Sequence, residues 1–244
     1  MPNYADLEKT FTKQLGLDRA PVAVSFLDAP PAGVRKFMGQ APSACSFWRI
    51  ATTAPAGKSA FYVVPSDLYG CAIGTYTHNV PLPADRAHEL NDTLGLMGSI
   101  GYVKMEEVPQ IPVWPKSPAA VAYARLGEAK VAPDVVIFSG KPWAITLLAE
   151  AARSAGKASS LPPLPRPTCM AIPAAAGYGA TMSFGCIGNR VYTEVPEDHV
   201  YMMVKGADLE AIASALATIK SANEKLDAYH HERKPGLTRP DSTA

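Results

Sequence analysis

The chain repeats itself, and a repeat narrows the possible architectures more than any single motif does. Ala20 to Phe37, "APVAVSFLDAPPAGVRKF", opens with a β-rich apolar run and passes through a proline turn into a mixed segment. Ala132 to Ala152, "APDVVIFSGKPWAITLLAEAA", keeps that order: an apolar run from Val135 to Phe138, a Gly-Lys-Pro turn, then a helical stretch. Each is followed by proline, one or two small residues and a cysteine, "PSAC" ending at Cys45 and "PTC" ending at Cys169. Each then continues into a strand-like run that closes on Gly-Cys, "SAFYVVPSDLYGC" and "GATMSFGC". The words that follow, "GCAIGTYT" and "GCIGNRVYT", match if one residue is inserted.

The correspondence extends further. Val108 to Ala129 and Val200 to Ala222 both run from an extended apolar segment through lysine into an alanine-rich amphipathic helix. In the second, Leu209, Ile212, Leu216, Ile219 and Leu226 recur at helical spacing behind Asp208 as N-cap. The expected fold is therefore α+β or α/β, with two duplicated β/α halves, roughly 20–130 and 132–228, related by a pseudo-twofold axis. They form one compact domain over 1–231, and 232–244 has little to bury and reads as a flexible tail. "ADLEKTFTKQLGL" reads as a short amphipathic helix stopped by Gly16, and Leu90, Leu94 and Met97 mark a packing helix in the linking stretch.

Composition bounds the partners. With 244 residues, 48% of them hydrophobic, the chain can bury a substantial core, and a net charge of +1 provides no field to draw in nucleic acid. No apolar run is long enough for a bilayer and the N-terminus lacks a signal core, so neither a membrane nor export is expected, and the location is read as cytoplasmic. In that compartment thiols stay reduced, which leaves metal binding, catalysis or plain burial for the chain's four cysteines. The partners expected are a small molecule or a redox partner protein. Chains this apolar are often dimeric, so a homodimer is among the expected states.

Taken together, Cys45, Cys71, Cys169 and Cys186 read as one constellation, two from each half. Small residues beside every cysteine allow the tight turns that ligand loops need. No C-x2-C knuckle and no dense ferredoxin run is present, so the fold has to bring four isolated ligands together. Lone ligands from separate turns suit a [4Fe-4S] cluster better than a compact zinc knuckle, with zinc, or a tetrapyrrole such as heme held by the cleft between the halves, as alternatives. Arg49 and Arg190 each stand four residues behind a cysteine, where a guanidinium could offset cluster charge or fork onto an anionic substrate. Asn189 and His78 complete the tentative substrate-binding set. His199, His230 and His231 look solvent-facing, Met170 looks like core, and Trp48 and Phe47 either wall a pocket or belong to the core.

Motifs that would name a reaction are absent: there is no Walker loop, no dinucleotide-binding glycine fingerprint, no H-E-x-x-H and no G-x-S-x-G. Whether the chain is an enzyme stays open at this point. "LGLDRAPVAVSFLDAPPAGV", the "SAC" cysteine, "PDVVIFSGKPWAITLLAEA" and "SFGCIGNR" followed by "VPEDHVYMMVKGADLEAIASALATI" together resemble the domain of unknown function family 169, the archaeal conserved region family. The likeness runs from about Leu7 to about Leu226. That family is widespread in anaerobic bacteria and archaea and carries no settled reaction, so the resemblance implies a single compact domain and important cysteine loops. The first Gly-Cys motif continues "AIGTYTHN" without the arginine of the second, which implies unequal roles for the two. The reading for function is an iron-sulfur protein, redox-active or acting on a small anion. The alternative is a non-enzymatic small-molecule or tetrapyrrole-binding module with structural zinc or merely buried cysteines.

Overall fold

The structure, a computed structural model, describes residues 2–164 and 167–234. Four strands of six residues form its centre: β1 (Val22–Leu27), β4 (Ala120–Arg125), β5 (Val135–Gly140) and β7 (Val200–Lys205). They are buried almost throughout, which is why they read as near-continuous apolar runs rather than as alternating ones. Short strands close the edges: β2 (Arg35–Lys36) and β3 (Phe61–Val63) on one side, β6 (Thr181–Ser183) on the other. The mixed α/β fold is thus built on a seven-stranded sheet in the order β2-β3-β4-β1-β5-β7-β6, antiparallel except for the β2–β3 pair. Strands this short at the edge leave few unpaired backbone groups for another chain to extend.

The strand period of two assigns side chains to the two faces. Ala23, Val136, Phe138, Met202 and Val204 point to one face, where α1 (Tyr4–Leu15), α5 (Pro142–Ser154) and α8 (Leu209–Arg233) bury Phe11, Leu148, Ile212 and Leu216 against them. Val22, Val24, Tyr123, Ile137 and Met203 point to the other, under α2 (Ser46–Thr53) and α6 (Ala171–Tyr178). The remaining helices are α3 (Ala72–Thr77), α4 (His88–Ser99) and α7 (Ile187–Thr193).

Several local expectations hold. Gly16 stops α1 in the left-handed conformation at φ 64°, with its N–H returned to the Thr12 carbonyl. Leu94 of α4 is buried, as a packing helix requires. Others fail for identifiable reasons. The alanine-rich helix expected within Val108–Ala129 is instead a 3-10 turn followed by β4, whose Val121 and Tyr123 sit fully buried in the sheet. Central burial outweighs alanine's helix propensity there. Asp208 stands at the start of α8 but caps nothing with its side chain, and pairs with Lys157 at 2.9 Å. Of the tail expected over 232–244, residues 235–244 lie outside the described residues, and α8 itself runs to Arg233. Among the described residues no helix is long and apolar enough to cross a membrane.

Candidate functional site

All four cysteines lie on the α2/α6 side of the sheet, each at or just before the first turn of a short helix. Cys45 is the residue before α2, and Phe47, Trp48 and Ala51 pin that helix to the core, Phe47 lying against Tyr123 with ring centroids 5.3 Å apart. Trp48 and Phe47 are thus core residues, as is Met170. Cys71 caps α3, its sulfur accepting the Gly74 N–H at 3.4 Å. Cys169 sits in the 3-10 turn Thr168–Met170 that leads into α6. Cys186 precedes α7, and its N–H donates to Thr168 Oγ1 at 2.5 Å, tying the last two cysteine segments together.

The segments can approach one another because glycine stands where backbones meet. A Cβ on Gly70 would lie 2.5 Å from the Ala41 carbonyl oxygen and 2.9 Å from that of Pro42, so the Cys71 turn can lie on the Cys45 turn only without a side chain there. Gly185 adopts φ 83°, the bend that turns the chain from β6 into Cys186 and α7.

The four thiols are free and half-buried. Burial pushes the Cys45 thiol up to about 11, despite the Ser43 hydroxyl 3.1 Å from its sulfur, and the charges of Cys186 and Cys71 add to the rise. Burial also raises Cys71, with Cys186 contributing, and raises Cys169 well above the ordinary thiol range, with Cys71, Cys186 and Cys45 adding to it. Four segments distant in sequence therefore bring their sulfurs close enough to feel one another's charge. The surroundings of Cys45, Cys71 and Cys169 favour the neutral thiol over the thiolate.

That arrangement overturns the iron-sulfur expectation. Among the described residues no group of three or more histidine, cysteine, aspartate or glutamate side chains is arranged to hold a metal ion, so neither a [4Fe-4S] cluster nor zinc on Cys45, Cys71, Cys169 and Cys186 is supported. The physical reason lies in burial. Metal ligation needs thiolates converging on one point, whereas burial holds Cys45, Cys71 and Cys169 toward the neutral thiol.

The other expected site residues are placed as follows. Asn189 on α7 is 2% exposed and its side chain reaches toward the Cys45 sulfur, yet neither amide atom makes a hydrogen bond of ordinary geometry. The Arg190 guanidinium donates to the carbonyls of Phe184, Pro196, Glu197 and His199, bracing the turn from α7 into β7 with its own chain. Arg49 is exposed and pairs with Glu194 at 2.8 Å across α2 and α7. His78 is fully buried at the end of α3, its Nδ1 3.2 Å from Thr77 Oγ1 and its Nε2 without a partner. Burial lowers its pKa to about 4, which keeps the ring neutral at ordinary pH. His199, expected at the surface, is 2% exposed, with Nε2 3.6 Å from Asp18 and Nδ1 unpartnered. Its N–H donates to the Pro196 carbonyl at 3.0 Å and its own carbonyl accepts from Arg190, so both ends of its backbone are tied into this turn.

Sequence reasoning missed Tyr123. Its ring is core, but its buried hydroxyl has no partner and lies within reach of the charges of Cys45 and Cys169. Nothing in "AVAYAR" distinguishes it from a packing tyrosine. A cavity of about 260 Å³ opens at the far end of α3, between Tyr76, Asn79, Leu82 and Leu90. No cysteine lines it.

A sheet with the thiols gathered on one face defines a mixed α/β protein with a cysteine centre. The chain matches the DUF169 family, described as uncharacterised ArCR, over residues 10–215 and belongs to it. Comparison with curated proteins and with solved structures found no match.

Proposed function

We propose that this is a thiol redox protein whose cysteine centre cycles between free thiols and disulfides. One observation carries the reading: four free cysteines from four distant segments sit within range of one another's charge. In the exchange a cysteine thiolate attacks one sulfur of a small disulfide, R–S–S–R, forming a mixed disulfide and releasing the first R–S⁻, which takes up a proton. A second cysteine then displaces the other R–S⁻. The sum is two Cys–SH plus R–S–S–R giving Cys–S–S–Cys plus two R–SH, so two electrons leave the protein. The small molecule or redox partner protein expected from the sequence supplies the disulfide, and a reducing cytoplasm would hold the centre as thiols at rest. Burial of Cys45, Cys71 and Cys169 makes thiolate the limiting species, so the exchange quickens as pH rises.

The centre draws its residues from both parts of the repeat, and the strand order supports a duplicated ancestry for the fold. Reading outward from the β1–β5 pair, β1, β4 and β3 follow on one side and β5, β7 and β6 on the other. The outer strand of each trio, β3 or β6, has one cysteine before it and another after it, although β2 lies beyond β3 on the first side alone. The test is a thiol count after denaturation. Untreated protein should expose four thiols, protein treated with a limiting disulfide reagent should expose two or none, and a dithiol reductant should restore four. A count that stays at four after treatment defeats the reading.

A further inference from the structure

The cavity at the far end of α3 lies apart from the thiols, and its volume of about 260 Å³ exceeds the roughly 150 Å³ that holds one benzene molecule. We propose that it is a binding site for a small, uncharged and largely apolar molecule carrying one N–H or O–H donor.

The walls are tied in place by hydrogen bonds. Asn79, in the left-handed region at φ 55°, turns the chain out of α3, and its Nδ2 donates to the Trp114 carbonyl at 2.9 Å. The Trp114 N–H donates in turn to the Thr77 carbonyl at 2.8 Å. The Trp114 ring stacks on Phe26 with centroids 3.9 Å apart, so the neighbouring Val113 is held beside the end of α3. The opposite wall, Ala87 and Leu90, is fastened through Arg86, whose Nη2 donates to Glu89 at 2.8 Å and to the Tyr69 carbonyl at 3.0 Å. A cavity formed in this way asks a ligand to order no loop, which is the usual condition of small-molecule sites.

The lining sets the chemical class of the ligand. Val80, Leu82, Ala87, Leu90 and Val113 are apolar, and among the described residues that line the cavity none is charged. A charged molecule entering it would lose hydration and gain no partner. Three lining side chains are polar: Thr75, Tyr76 and Asn79. The Thr75 hydroxyl is spent on the Ala72 carbonyl at 2.7 Å. The Asn79 amide is oriented by Trp114, which leaves its Oδ1 as an acceptor, and the Tyr76 hydroxyl can serve as donor or acceptor. One donor on an otherwise apolar ligand matches this set.

Indole is the probe, a neutral apolar bicycle with a single N–H. Titrated into the full, reduced chain and followed by proton–nitrogen correlation spectra, it should give saturable shifts centred on residues 75–90 and 113. The expected Kd is on the order of 1 mM or tighter. 1-Methylindole lacks the donor and should bind about fivefold more weakly. Indole-3-carboxylate adds a charge and should bind at least about tenfold more weakly. Leu90→Trp fills the cavity and should abolish the shifts, its folding checked by circular dichroism. Ala87→Trp, at an exposed position, makes the same test where Leu90→Trp does not fold. No saturable shifts, shifts centred elsewhere, or binding that survives a folded tryptophan variant overturns the site and marks the cavity as loose packing of α4. Equal binding by 1-methylindole or by the carboxylate overturns the ligand class.

Discussion

The two faces of the sheet are built differently. One is covered by three long helices, α1, α5 and α8, whose buried side chains are almost all aliphatic or phenylalanine, with Phe11 set edge-on to Phe138 at 5.0 Å. The other is covered by short helices separated by turns, and it holds the cysteines together with most of the buried polar atoms that lack partners, among them Tyr123 Oη, His78 Nε2 and the Asn189 amide. Long helices bury a continuous stripe and need nothing further. Short helices expose their ends, and each end here delivers a cysteine. The comparison teaches that one face supplies stability while the other forgoes some of it to gather polar and sulfur groups, since each unpaired buried polar atom costs about 1–3 kcal/mol.

Truncation in the helix-covered face should give the largest effect. Phe138→Ala removes a fully buried ring and should lower the unfolding free energy by about 3–5 kcal/mol in urea titration. A loss below about 1 kcal/mol would dissolve the contrast between the faces.

Acid should act next, and on the cysteine-bearing face. The His78 ring binds its proton at about 4 in the fold against 6.5 for an unperturbed histidine, so the unfolded chain holds more protons between those values and stability falls as pH drops through them. The contribution lost is roughly 3 kcal/mol. In His78→Leu the pH slope of stability over this window should flatten, and an unchanged slope would show that His78 does not carry it.

Arg190→Met should cost about 2 kcal/mol, because four carbonyl oxygens lose a charged donor. Arg190→Lys should rescue little of it, since an ammonium cannot span the fork that the guanidinium fills. Full rescue by lysine would mean that charge rather than geometry matters.

Tyr123→Phe should give the smallest change, less than about 1 kcal/mol and toward greater stability, because it removes a buried hydroxyl without a partner. A clear destabilisation would show that the hydroxyl is bonded in solution and would bring the two faces closer in character.

Much of the centre was legible before the structure. The shared order of apolar run, proline turn, cysteine, strand and Gly-Cys located the thiol segments, and Gly70 and Gly185 marked the bends that aim them. What misled was the step from four cysteines to a metal site, because residue type cannot report where a sulfur points or what already bonds to it. Arg190, four residues behind a cysteine, turns its terminal nitrogens to backbone carbonyls, a placement that residue type likewise does not report.

By itself the sequence determined three of the four central strands and the long C-terminal helix, since the runs of β1, β5 and β7 and the stripe of α8 are local patterns that a short window carries. It also determined that the cysteines sit in turns. Only the tertiary structure decided that "AVAYAR" is a central strand and that His78 and His199 are buried. Those outcomes depend on contacts between residues far apart in the chain, where burial free energy overrides local preference.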